Sequence, residues 1–134
     1  MGTPLGGKRT VLVVDDDEPA RIAAQRIFEQ AGFSVVTAGN GVEALGVYHQ
    51  HRDQIVGVFL DLNMPKMDGE QTLREIRRID SHVHAMVASG CDAAVVAERF
   101  AGLDVLGFVQ KPDPVDCILG KLWEAISKDD RAQS

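Results

Sequence analysis

The chain is poor in cysteine, with two in 134 residues, Cys91 and Cys117. Neither has CxxC or metal-ligand spacing. They read as free thiols of a reducing compartment, not as a disulfide. Excess positive charge is missing too. The formal net charge is −6, so nothing favours a phosphate backbone and no nucleic-acid contact is expected of this segment. No apolar run approaches the roughly 20 residues of a membrane span, and no signal peptide is recognised. Gly6 stands where a myristoylation motif requires Ser or Thr. There is no internal repeat and no low-complexity linker, and no output domain is expected after the last predicted helix. The expectation is a cytoplasmic domain with no membrane contact.

What is there suits one globular domain. The hydrophobic content of 45% and charged content of 25% are ordinary, and the length suffices for a core without staples. Residues 1–8 read as a loose tail, 9–127 as the domain, and 128–134 as a frayed polar tail. Thr10 to Val14 is a β-branched run that ends in acids. Pro19 then opens a helix, with Asp16 or Asp17 as its cap and Glu18 favourable in the first turn. Ala20, Ala23, Ile27 and Ala31 mark its predicted inner face, and Gly32 stops it. Further strands are predicted at Phe33 to Thr37, Ile55 to Leu60, Ala85 to Ala88 and Val105 to Val109. Further helices follow Asn40, Gly69, Asp92 and Asp113-Pro114. Five alternations of strand and helix predict an α/β fold, a parallel sheet with helices on both faces.

The organising stretch is Phe59-Leu60-Asp61-Leu62-Asn63-Met64-Pro65-Lys66-Met67-Asp68-Gly69. A buried strand delivers Asp61 to its C-terminal tip, where ligands sit in open α/β sheets. The other tips carry Asp15-Asp16, Ala88-Ser89 and Lys111. On one sheet edge, Asp15, Asp16 and Asp61 would repel one another unless a cation joined them. Oxygen-only ligands without His or Cys point to Mg²⁺. Lys111 at the same edge suggests an arriving anion such as a phosphoryl group, and Asp is a competent nucleophile for one.

Four motifs carry a family resemblance. They are Val13-Val14-Asp15-Asp16-x-x-Pro19-x-Arg21, Ala38-Gly39-Asn40-Gly41-x-Glu43-Ala44-Leu45, Asp61-x-Asn63-Met64-Pro65-x-Met67-Asp68-Gly69 and Phe108-x-x-Lys111-Pro112. Together, in this order, the chain resembles the receiver domain of bacterial response regulators over about residues 9–127. The resemblance implies a flavodoxin-like (βα)5 three-layer sandwich with sheet order 2-1-3-4-5. It implies that Asp61 is the phosphoacceptor, taking the group from a phosphohistidine of a sensor histidine kinase or phosphotransfer protein. Asp16 and Asp61 would ligate Mg²⁺ directly, Asp15 through water and Asn63 through its carbonyl. Lys111 would pair with Asp61 and then with the phosphoryl group. Phe108 would be the aromatic switch. The signal would leave through helix four, strand five and helix five, here roughly Asp92 to Phe100, Val105 to Phe108 and Val115 to Ile126. Output would go to a partner or to a longer parent protein. The stretch from Arg99 to Pro112 resembles receivers attached to hybrid sensor kinases. Such a domain switches rather than turning over a metabolite; its only chemistry is phosphoryl uptake and slow self-hydrolysis.

One position departs from the pattern. Receivers carry Thr or Ser at the tip of strand four. Counting through Met86-Val87-Ala88-Ser89-Gly90 puts Ala88 there, with Ser89 one place later. A slip of one residue restores Ser89. Three rival readings compete with this one. A receiver-like module that is never phosphorylated would usually have lost an acid, the acceptor or the lysine, and none is lost. An Asp-nucleophile phosphohydrolase would carry a second Asp where Asn63 stands. Gly39-x-Gly41-x-x-Ala44 matches a dinucleotide fingerprint, but it follows strand two, an expected edge, and reads as a turn and helix cap. His49, His51, His82 and His84 read as surface residues, since i and i+2 do not share a helix face.

Overall fold

The computed structural model describes residues 9–62, 69–89, 98, 105–110 and 119–133. The strands are β1 (Thr10–Val14), β2 (Ser34–Ala38), β3 (Ile55–Asp61), β4 (His84–Ser89) and β5 (Gly107–Gln110). They form one parallel sheet of order β2-β1-β3-β4-β5, as the sequence resemblance implies. The central strands β1 and β3 are buried along their whole length, which explains their unbroken apolar runs. Helices α1 (Glu18–Gln30), α2 (Gly41–His51) and α3 (Gly69–Ile79) precede a C-terminal helix, Leu119–Gln133. That helix continues beyond Ser127, where the sequence suggested a frayed tail.

Strand alternation divides the core into two layers. On one face Leu12, Val14, Val58, Leu60 and Val87 meet Ala44 and Tyr48 of α2 and Leu73 and Ile76 of α3. On the other, Val11, Val13, Phe59, Met86 and Ala88 meet Ala24 and Phe28 of α1 and Leu122 and Ile126 of the C-terminal helix. The inner stripe of α1 therefore differs from the expected one. Ala24 and Phe28 are buried and Ala23 is exposed. Both stripes have helical spacing, but only one carries Phe28. Its ring lies 6.2 Å from that of Phe33 and 5.8 Å from that of Phe59. Burying a phenyl ring outweighs burying one more methyl group, so the helix turns to suit it.

Two caps set the helix starts at the C-terminal edge of the sheet. Asp17 Oδ2 accepts from the Ala20 N–H at 3.1 Å at the start of α1. Asn40 Oδ1 accepts from the Glu43 N–H at 2.8 Å, and Glu43 Oε1 accepts from the Gly39 N–H at 2.6 Å. This reciprocal cap accounts for the glycine-rich turn after β2. It lies beside an edge strand, as expected for a turn and cap. Gly32, at φ 101°, ends α1 in the left-handed conformation that glycine adopts without strain.

Candidate functional site

β1 and β3 are neighbours, with Val14 opposite Leu60. Their next residues, Asp15 and Asp61, are consequently brought to one place on the sheet edge. Asp15, Asp16 and Asp61 each offer a carboxylate oxygen within 4.8 Å of the others. Asp15 and Asp61 are buried at 3% and 4% exposure, while Asp16 opens to solvent. It is the one such cluster of His, Cys, Asp and Glu among the described residues. The histidines do not enter it.

Local hydrogen bonds fix the first of these acids. The Asp17 N–H donates to Asp15 Oδ1 at 2.9 Å. The Asp15 N–H donates to the Ala38 carbonyl at 3.2 Å, the last rung between β1 and β2. The Arg21 guanidinium donates to the Asp15 carbonyl at 2.9 Å. Asp61 is held from the other side. It lies opposite Ala88 in the β3–β4 register, and the following Leu62 N–H donates to the Ala88 carbonyl at 3.0 Å.

The β4–β5 register bears on the hydroxyl position. Val87 pairs with Phe108, Ala88 with Val109 and Ser89 with Gln110. Val87 and Phe108 belong to the layer under α2 and α3, whereas Ala88 and Val109 belong to the opposite layer. By alternation Ser89 returns to the face of Phe108, one residue beyond the partner of Asp61. Its exposure is 1%. Phe108 is half-buried. Asn63, Lys111, Cys91 and Cys117 lie outside the described residues, as does most of the expected fourth helix.

Two residues at this edge were not singled out by sequence reasoning. A Cβ on Gly69 would stand 2.7 Å from the Asp61 carbonyl and 3.0 Å from Leu62 Cα. The glycine thus lets α3 start directly against the strand that carries Asp61. Its signal was the Asp68-Gly69 pair, which also fits an ordinary turn. Arg21 was visible as a motif residue, but nothing in the sequence pairs it with a carbonyl.

The donor set fits Mg²⁺: hard carboxylate oxygens, two of them buried, gathered without nitrogen or sulfur. Among the described residues, no helix is long and apolar enough to cross a membrane.

Comparison with known proteins agrees with this geometry. The family model described as response regulator receiver domain matches residues 11–122. The chain is 30% identical over 128 residues to the sensor kinase CckA of Brucella abortus (strain 2308), covering 96% of this chain and 14% of that protein. It is 34% identical over 114 residues to the response regulator MprA of Mycobacterium sp. (strain KMS), covering 84% of this chain and 48% of that one. The chain thus spans half or less of these relatives. Among solved structures it resembles a response regulator receiver domain protein from Clostridium thermocellum, with TM-score 0.82, 25% identity and coverage of 92% and 98%. It also resembles a chain of the CheX–CheY–BeF3–Mg+2 complex from Borrelia burgdorferi, with TM-score 0.79, 29% identity and coverage of 87% of each chain. With its parallel sheet in the order 2-1-3-4-5 and its acids gathered at the tips of β1 and β3, this chain belongs to the response regulator receiver domains, the signalling switch domains of two-component systems.

Proposed function

We propose that Asp61 accepts a phosphoryl group from the phosphohistidine of a sensor kinase or phosphotransfer protein. A carboxylate oxygen of Asp61 attacks phosphorus, and the bond from phosphorus to the imidazole nitrogen breaks. The observation that carries this reading is the convergence of Asp15, Asp16 and Asp61 within 4.8 Å at the tips of two central strands. Those three carboxylates, with the carbonyl of Asn63, would hold Mg²⁺, which supplies neutralising charge for the phosphoryl oxygens. Lys111 adds a second positive charge. Ser89 donates a hydrogen bond to the arriving phosphoryl group, and this reading is preferred to Ala88 on two grounds. Ala88 has no donor, and its methyl group is committed to the layer under α1. Ser89 lies on the face of Phe108, so a move of the hydroxyl opens space that the aromatic ring can enter.

The switched surface includes β5 and reaches a partner or another part of a longer protein. The resemblance to CckA supports a receiver carried by a sensor kinase. The Borrelia relative was solved with BeF3 and Mg²⁺, which supports the same chemistry here. A phosphohistidine donor implies a cytoplasmic setting. The domain catalyses its own phosphoryl uptake and slow hydrolysis and has no other turnover.

Intact mass after incubation with Mg²⁺ and acetyl phosphate tests the proposal. One added phosphoryl group is expected on the wild type, absent from Asp61→Asn and abolished by EDTA. No addition, together with no beryllofluoride complex by ¹⁹F NMR, would overturn it in favour of an interaction module that is never phosphorylated.

A further inference from the structure

We propose that Arg21 is a positioning residue for the metal-binding acids, acting through the backbone of Asp15. The inference rests on the Mg²⁺ reading above. The β1–β2 ladder ends with the Asp15 N–H on the Ala38 carbonyl. In a parallel ladder the Asp15 carbonyl would next receive the N–H of residue 40. By then β2 has ended at Ala38. The chain has turned into the cap of α2, with the Gly39 N–H on Glu43 and Asn40 as N-cap. Arg21, one turn into α1, donates to the Asp15 carbonyl there through a part-buried bond of 2.9 Å.

The guanidinium is well placed to hold this position. Its side chain is only 22% exposed, and Glu18 lies 3.7 Å away on the same helix. A Cβ built on Gly39 would lie 3.6 Å from Arg21 Nη1, so the guanidinium sits between the turns after β1 and β2. The main chain of Asp15 is therefore held at both polar groups, its N–H by β2 and its carbonyl by Arg21 of α1. The Asp15 carboxylate is gripped in turn by the Asp17 N–H. Asp16 follows directly in the chain. Fixing the peptide between them orients both carboxylates toward Asp61. Loss of the Arg21 bond would loosen this peptide, and more of the ordering of the acids would fall to the ion itself.

Charge and positioning predict opposite signs for Mg²⁺ binding, which makes the inference testable. As a bare cation near the site, Arg21 would repel Mg²⁺, and its removal would tighten binding. As a positioning residue, its removal weakens binding. Mg²⁺ titration by calorimetry should be run on the wild type, Arg21→Met, Arg21→Lys and Asp16→Asn. Arg21→Met keeps the apolar stem and loses the donor. It should bind Mg²⁺ roughly 3- to 10-fold more weakly. Arg21→Lys retains a donor and should recover part of the loss. Thermal melts of both variants without Mg²⁺ separate folding from binding. Unchanged or tighter Mg²⁺ binding by Arg21→Met would overturn the inference. So would a lowered melting temperature with no loss of Mg²⁺ affinity. Asp16→Asn guards the underlying reading. If it binds Mg²⁺ like the wild type, the metal site itself is wrong; if it loses Mg²⁺ while Arg21→Met does not, only the role of Arg21 fails.

Discussion

Ser89 and Phe108 lie on the same face of the sheet, Phe108 opposite Val87 and Ser89 two residues further along β4. Ala88, between Val87 and Ser89 in the chain, faces the other layer and lies opposite Asp61. Ser89→Ala should therefore slow phosphoryl uptake from acetyl phosphate by roughly tenfold or more, because a donor to the charged group is lost. It should also leave the Phe108 ring signals unmoved when beryllofluoride is added. Ala88→Gly should cost about 1 kcal/mol of stability through backbone entropy and leave uptake near the wild-type rate. Equal damage from both substitutions would refute the assignment. Time-resolved intact mass and ¹H–¹³C spectra of the aromatic rings supply the two readouts.

Gly69 meets the backbone of β3 where that strand carries Asp61. A methyl group there would approach the Asp61 carbonyl to 2.7 Å and Leu62 Cδ2 to 2.9 Å. The carbonyl cannot move without moving Asp61. Alanine is the better helix former by up to about 1 kcal/mol, but Gly69 is the first residue of α3, where that gain is small. The overlap dominates. Gly69→Ala should lose about 1–3 kcal/mol in urea unfolding, and phosphoryl uptake should fall with it. A variant as stable as the wild type, with normal uptake, would show that the start of α3 is not held against β3.

The parts legible in the sequence were those written as patterns along the chain. Apolar runs ending in Asp15-Asp16 and Asp61 located two strand tips, and alternation with helices brought them to one edge. The layers under α1 and the register of β4 were not legible. Ala20, Ala23, Ile27 and Ala31 have helical spacing, but so does the stripe through Ala24 and Phe28, and only packing against Phe33 and Phe59 decides between them. Ala88 and Ser89 are neighbours, so a shift of one residue exchanges their faces. That choice depends on pairing with β5, which the strand's own residues do not encode. The bond from Arg21 to the Asp15 carbonyl is a contact between a side chain and main chain and leaves no periodic trace.

The stripe of α1 can be tested directly. Ala24 is 2% exposed, whereas Ala23 lies on the outer side. Ala24→Leu should destabilise by about 1–3 kcal/mol by overpacking the layer around Phe28. Ala23→Leu should stay within about 0.5 kcal/mol of the wild type. Urea unfolding of the two variants at one pH makes the comparison, and the reverse ranking would restore the stripe that runs through Ala23.

Tyr48 ties α2 to the end of α3, and its ionisation should mark the alkaline limit of the fold. The side chain is fully buried, and its hydroxyl donates to Asp80 Oδ2 at 2.9 Å. Burial first, then the hydrogen bond and the charge of Asp80, push the phenol well above its ordinary value of 10.0. The sign follows from proton counts. Below pH about 10 both states keep the phenolic proton and the bond contributes in full. Above it the unfolded chain releases a proton that the folded chain retains, so stability falls as pH rises. Tyr48→Phe removes this dependence. At pH 7 the variant should be less stable by about 1.5–3 kcal/mol, the range for a hydrogen bond to a charged group. From pH 10 upward the gap should close, because the wild type loses stability there that the variant cannot lose. Other groups titrate in the same range, but they are common to both proteins and cancel in the difference. Urea unfolding of the pair from pH 8 to 11 is the measurement. A constant gap across that range would mean that the phenol ionises equally well in the folded chain, and that its burial and its bond to Asp80 do not persist in solution.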